Sequence, residues 1–310
     1  MNILVLGAGA MGSYYGARLI QAGASVSFLL RSGRARQVRS EGLRVASELA
    51  PFAAPVKVVE AGEATPHADL VLLTCKAYDL PDAVRAITPA VGPDTAILPL
   101  LNGLAPYALL DATFGRERVL GGVAYIAVAL QDDGSTRQLG SAEKLIVGAR
   151  TSRFAALATQ LSTMLLRSAG QGVASPAIEQ ALWNKWVMLC AGAAVTCLLR
   201  ANVGQILATS TGQTVIEAAL DECLAVARAE GFALNEEALA GVRGLLLNPA
   251  SGWMASMARD IAAGSQRLEA DAIVGDMLTR SARHGLAAPI LSAAYASLQC
   301  YLHQAASPAA

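Results

Sequence analysis

The sequence predicts an α/β fold in two parts, a domain built on a parallel sheet over residues 1–175 and an all-α domain over residues 176–310. Three observations predict it. A short apolar run from Asn2 to Leu6 leads through glycines into a helical stretch and out to a second apolar run, Val26 to Leu30, within about thirty residues, the length of one strand, helix, strand unit. Apolar runs and helical stretches continue to alternate as far as Leu98. Beyond residue 176 strand-like runs stop and helical segments remain, and 310 residues suffice for two cores of ordinary size.

Taken in order, Ile3 to Leu6 has no polar member, as a parallel strand buried on both faces requires. A helix from Met11 to Ala22 ends at Gly23, a residue type that accepts the left-handed conformation after a helix. Leu70 to Thr74 and Ala96 to Leu98 read as further strands, separated by a helical Leu80 to Ala90, with helices expected on both faces of the sheet. Val123 to Leu130 and Lys144 to Val147 form a strand pair around the turn residues Asp132-Asp133-Gly134-Ser135. After Gly170 to Pro176 come helices over Ile178 to Leu199, Thr214 to Glu230 stopped by Gly231, Glu269 to His284 stopped by Gly285, and Pro289 to Gln304. The Ala/Ser/Pro tail after Gln304 is expected to fray.

Lys+Arg 24 balances Asp+Glu 24, which removes the broad positive field of a nucleic-acid or anionic-membrane binder and favours a small-molecule partner. The mean hydropathy is +0.43, high enough to ask for a membrane span of about 18 apolar residues. The best stretch, Trp186 to Leu199, lies between Lys185 and Arg200 and is too short, so no membrane segment is expected. An apolar run directly after Met1, without a basic region and cleavage site, points to a cytoplasmic protein. Five cysteines with no CxxC pair suggest buried free thiols, neither a disulfide framework nor a metal site.

The turn Gly7-Ala8-Gly9-Ala10-Met11-Gly12 leaves a buried strand and opens a helix, which makes the first domain Rossmann-type and dinucleotide-binding. Gly7 permits the tight turn, Gly9 the approach of a pyrophosphate to the helix N-terminus, and Gly12 close helix packing. An NAD site places an acid at the end of the second strand. Leu30 and Arg31 stand there instead, and a guanidinium matches a 2′-phosphate, so NADP(H) is the expected cofactor. Arg34, Arg36 and Arg39 read as a solvated basic loop. Lys76 and Asn102 follow strand ends, where ligands of open α/β sheets bind, although either could be a routine strand-end polar residue, the favoured explanation for a lone lysine.

The chain resembles the ketopantoate reductase (2-dehydropantoate 2-reductase) family over nearly its whole length. The resemblance rests on the glycine turn, Arg31, Thr74-Cys75-Lys76-Ala77-Tyr78 and Leu101-Asn102-Gly103, and in the second half on Leu182-Trp183-Asn184-Lys185, Ser256-Met257-Ala258-Arg259-Asp260, Glu269-Ala270-Asp271 and Gly275-Asp276. It implies NADPH-dependent reduction of a small 2-oxo acid, with Lys185 as general acid, Lys76 and Asn102 touching cofactor and substrate, Ser256 holding the substrate carboxylate, and Glu269 near the nicotinamide. Read on its own, Lys185 fits equally a lysine stem covering apolar surface at a helix start. Two features depart from the family pattern. Asparagines four and eight residues after the lysine are replaced by Leu189 and Ala193, and the interval from Ser256 to Glu269 is one residue longer. The first makes a plainer, more apolar 2-oxo acid an alternative to ketopantoate. An NADP-binding sensor without turnover is the non-enzymatic alternative, and the apolar C-terminal helices leave a homodimer open.

Overall fold

The computed structural model describes residues 1–63, 68–168 and 170–306, and the chain divides into two compact units. The first comprises Met1–Leu101 with Pro106–Ala181, the second Asn102–Ala105 with Leu182–Ala310.

The first unit opens with β1 (Asn2–Leu6), α1 (Ala10–Gln21), β2 (Ser25–Leu29), α2 (Ser32–Glu41), β3 (Leu43–Ala46), β4 (Phe52–Ala54), β5 (Lys57–Val59), β6 (Leu70–Leu73), α3 (Leu80–Ile87) and β7 (Ala96–Pro99). Five strands form a parallel sheet in the order β5-β2-β1-β6-β7. Its interior is apolar because both faces are covered: every residue of β6 and β7 is buried. The chain continues through α4 (Ala105–Phe114), β8 (Gly121–Leu130), β9 (Thr136–Gly148), α5 (Ala155–Arg167) and β10 (Gly172–Ala174). The expected strand pair β8 and β9 is antiparallel, with a register shift between Ile126 and Val128, and it is longer than the apolar runs suggest. β9 also pairs with β3 and β10, which makes a second sheet that the sequence reading does not contain. Helix α1 packs against β1 and β2 and also against β3, β8 and β9, so Gly12 to Leu19 are all buried.

The second unit is helical: α6 (Ile178–Leu199), α7 (Val203–Leu207), α8 (Gly212–Ala229), α9 (Glu236–Leu246), α10 (Ser256–Ala262), α11 (Asp276–Arg283) and α12 (Pro289–Ala306). The cut between the units falls inside α6, after Ala181, because its first turn is tied to the first unit. A Cβ on Gly148 would stand 2.6 Å from that of Ile178, and Glu179 accepts from Arg116 at 2.7 Å. Helix α6 is long and apolar enough to cross a membrane, contrary to the sequence reading, which starts its apolar stretch only at Trp186. In the fold, 72% of that window is buried, as the central helix of a core requires. The expected helix from Glu269 begins instead at Ala270 and runs through a π-helical turn, Asp271–Gly275, into α11. α12 extends past Gln304 to Ala306, and 307–310 lie outside the described residues. Cys190, Cys197 and Cys223 are buried as expected, whereas Cys75 is half-buried and Cys300 exposed.

Helix α6 ends on Arg200, whose φ of 54° puts a β-carbon in the left-handed region. Arg200→Gly therefore raises unfolding free energy by about 1 kcal/mol in urea titration. A loss of stability would instead show that the stacking of Arg200 on Tyr301, 5.4 Å from guanidinium carbon to ring centre, outweighs the strain.

Candidate active site

In the first unit the site is built around the glycine turn. Gly7 adopts φ +91°, and its N–H donates to the carbonyl of Leu29 at 3.0 Å, so the turn leaves β1 by leaning on β2. A Cβ on Gly12 would lie 2.1 Å from the Gly7 carbonyl oxygen and 2.6 Å from Thr74 Oγ1, which itself donates to Leu6 O at 2.8 Å. A Cβ on Gly9 would meet nothing within 4 Å, and the first turn of α1 carries no acidic residue. Open space over backbone N–H groups at the N-terminus of a 12-residue helix fits the pyrophosphate of a dinucleotide.

Arg34 is not the solvated residue expected from its basic neighbourhood. Its Nε and Nη2 donate to Ala8 O at 3.1 and 2.9 Å, Nη2 also to Gly134 O at 2.8 Å, and Nη1 to Gln37 at 2.7 Å. The guanidinium clamps the glycine turn to the β8–β9 hairpin. Arg39 is likewise engaged, with Glu60 at 2.5 Å and Glu63 at 3.9 Å, while Arg36 is exposed as expected. Arg31 stands just before α2 with its side chain 77% exposed, its Nη2 3.8 Å from Asp79 Oδ1. Lys76 is half-buried and precedes the short 3₁₀ turn Ala77–Asp79, its carbonyl accepting from the Asp79 N–H at 2.9 Å.

In the second unit the short segment Asn102–Ala105 joins the helices. Gly103 has φ +80°, and a Cβ on it would stand 2.3 Å from the carbonyl oxygen of Ala272. Trp186 Nε1 donates to the carbonyl of the next residue, Ile273, at 3.1 Å. The Asn102-Gly103 turn, the α6 turn that carries Lys185 and the π turn that follows Glu269 are thereby knotted together. Lys185 is half-buried, and burial lowers its ammonium pKa to about 8. Glu269 is buried at 6% exposure, and its carbonyl accepts from Ile273 N–H at 3.1 Å. Ser256 is the first residue of α10 and half-buried. Leu189 and Ala193, one and two turns beyond Lys185 on α6, are both buried in the apolar core.

Other motif residues have structural partners. Asp271 accepts from Tyr295 OH at 2.7 Å, which pushes the phenol up to about 12. Asp276 and Glu230 hold Arg280 at 3.3 and 2.8 Å, and its guanidinium lies 5.5 and 5.3 Å from the ring centres of Trp183 and Trp186. Sequence reasoning leaves Arg34 in solvent and overlooks Trp186 and Arg280. An indole beside a candidate acid and an arginine three residues after Arg31 are the available signals.

Comparison with known proteins places these features in a group. The family described as ketopantoate reductase PanE/ApbA matches residues 3–152, and its C-terminal counterpart matches residues 177–301. An uncharacterized oxidoreductase of Bacillus subtilis, YkpB, is 34% identical, over 97% of this chain and 99% of its own. A 2-dehydropantoate 2-reductase of Halobacterium salinarum is 30% identical, over 94% of this chain and 95% of its own. Among solved structures, D-mandelate dehydrogenase with NADH and anilino(oxo)acetate superposes with a TM-score of 0.89 at 23% identity, covering 99% of this chain and 100% of that one.

Proposed function

This chain belongs to the ketopantoate reductase family of oxidoreductases, and from that premise we propose that it reduces a small 2-oxo acid to the 2-hydroxy acid with NADPH. The observation that carries the proposal is Lys185, an ammonium brought by burial to about 8 and held in the knot that includes Asn102 and follows Glu269. NADPH, when bound, supplies the hydride to the carbonyl carbon. Lys185 donates its Nζ proton to the carbonyl oxygen and, before the transfer is complete, its charge stabilises the developing alkoxide. A pKa near 8 leaves the group protonated at neutral pH yet a better acid than an exposed lysine. Ser256 donates to the substrate carboxylate, and the Asn102 amide orients the oxo group. Glu269 lies at the nicotinamide end. Gly7, Ala8, Gly9, Ala10, Met11 and Gly12 form the pyrophosphate cradle, with Lys76 and Arg31 completing the nucleotide site. A cytoplasmic location accords with soluble substrate and cofactor.

Ketopantoate is the first substrate to offer. A second reading, an apolar 2-oxo acid, is favoured by Leu189 and Ala193, which bring no hydrogen-bonding group to the face of α6 below Lys185. Steady-state oxidation of NADPH with ketopantoate, beside 2-oxo acids of similar size lacking its hydroxyl, separates the two. We expect the hydroxyl-free acids to reach at least equal kcat/KM. A preference for ketopantoate approaching the roughly 10⁴-fold discrimination of a hydroxyl-binding site would sink the apolar reading. Absence of turnover with every acid would favour a sensor.

A further inference from the structure

We infer that Asp79 sets the balance between NADP(H) and NAD(H), by holding a carboxylate against the guanidinium that would take a 2′-phosphate. This rests on the cofactor reading above and adds the residue that decides selectivity. Sheet order puts β2 and β6 on either side of β1. The glycine turn follows β1, Arg31 follows β2, and Asp79 follows β6 at the start of α3, so the pair flanks the mouth of the cradle from its two neighbouring strand ends.

The Arg31 Nη2 to Asp79 Oδ1 distance is 3.8 Å, with the arginine side chain 77% and the aspartate 24% exposed. The nearby guanidinium groups of Arg34 and Arg39 are engaged with Ala8 O, Gly134 O, Glu60 and Glu63. A 2′-phosphate that pairs with Arg31 must share it with this carboxylate, and two anions then face each other across one cation. A ribose 2′-hydroxyl meets the opposite situation, because it is a donor and a carboxylate accepts from it. In NAD sites that acceptor stands at the end of the second strand. Here that end is Leu30-Arg31, and Asp79 offers the acid from the other side of the cradle.

The test needs no turnover. Calorimetric affinities of the full chain for 2′,5′-ADP and 5′-AMP isolate the 2′-phosphate from the rest of the nucleotide. In Asp79→Asn the ratio of the two affinities should move toward 2′,5′-ADP by about fivefold, the size expected for charges roughly 5 Å apart in salt solution. Asp82→Asn removes an exposed carboxylate from the same helix start, one paired with Arg85, and should leave the ratio where it was. Arg31→Ala should move the ratio the other way, toward 5′-AMP, because the Asp79 carboxylate then faces the 2′-phosphate without its cation. An unchanged ratio in Asp79→Asn, or an equal rise in Asp82→Asn, overturns the inference while leaving the cofactor site standing. A wild-type chain that binds neither nucleotide removes both readings together.

Discussion

Lys185→Met lowers turnover by about 100-fold or more, the contribution of a positioned general acid, and leaves NADPH affinity almost unchanged. The wild-type rate falls as pH rises through about 8, because the acid must carry its proton. The same substitution makes the protein more stable at neutral pH. Burial sets the folded pKa at about 8 against 10.5 for an ordinary lysine, so the unfolded chain binds more protons between the two, and stability rises with pH across that window. Below pH 8 the fold carries the full penalty of a partly buried ammonium, about 2 kcal/mol after screening, and methionine removes it. Urea titration at pH 7 and at pH 10.5 should show the methionine variant ahead at the first and level at the second. Turnover at the wild-type rate would dismiss Lys185 as proton donor, and a stability loss at pH 7 would show that its contacts outweigh its desolvation.

The second large effect is at Gly12. A methyl group there meets the Gly7 carbonyl at 2.1 Å, and that backbone is fixed by its bond to Leu29 and by Arg34 on the next carbonyl. Neither side yields cheaply, so Gly12→Ala costs about 3 kcal/mol of stability by overpacking. It also weakens binding of NADPH by about tenfold or more, since α1 must move away from the turn whose N–H groups face the pyrophosphate. Thermal unfolding and nucleotide titration of the alanine variant test both. Gly9→Ala is the internal contrast: a Cβ there touches no protein atom, so it should lose nucleotide affinity and keep stability.

What could be read in advance follows the strength of the local pattern. β1 begins and ends where the apolar run does, and α6 spans Ile178–Leu199 as its periodicity indicates. The second sheet stays invisible because β3, β4 and β10 have three or four residues each, too few to display a period of two, and are held by pairing, β3 and β10 with β9 and β4 with β3. Helix α2 buries only Ala35 and Val38, so its sequence reads as a charged loop, and Arg34 is consigned to solvent when it is a clamp. The glycine turn was legible from residue types alone, because each glycine answers a local steric demand. Lys185 was not, since a lysine on an apolar helix has a bland explanation without the family resemblance, and the contacts that fix its turn, the Trp186 indole on Ile273 and Gly103 on Ala272, are made elsewhere. Those partners lie far along the chain, and no local pattern announces them.

The segment Asn102–Ala105 has a consequence for how the chain is assembled. Because it belongs to the second unit while the residues on both sides belong to the first, the polypeptide passes between the units three times, at 101/102, 105/106 and 181/182. No single cut yields both halves whole. A fragment beginning at 182 lacks the turn whose Gly103 packs on Ala272, and its π segment is left with a bare carbonyl face. During synthesis that turn emerges well before the helices that receive it, so the helical half closes around a piece of chain made earlier and already tethered at both ends to the sheet. A chimaera joined at residue 182 would therefore pair the helices of one chain with the Asn102–Ala105 segment of another.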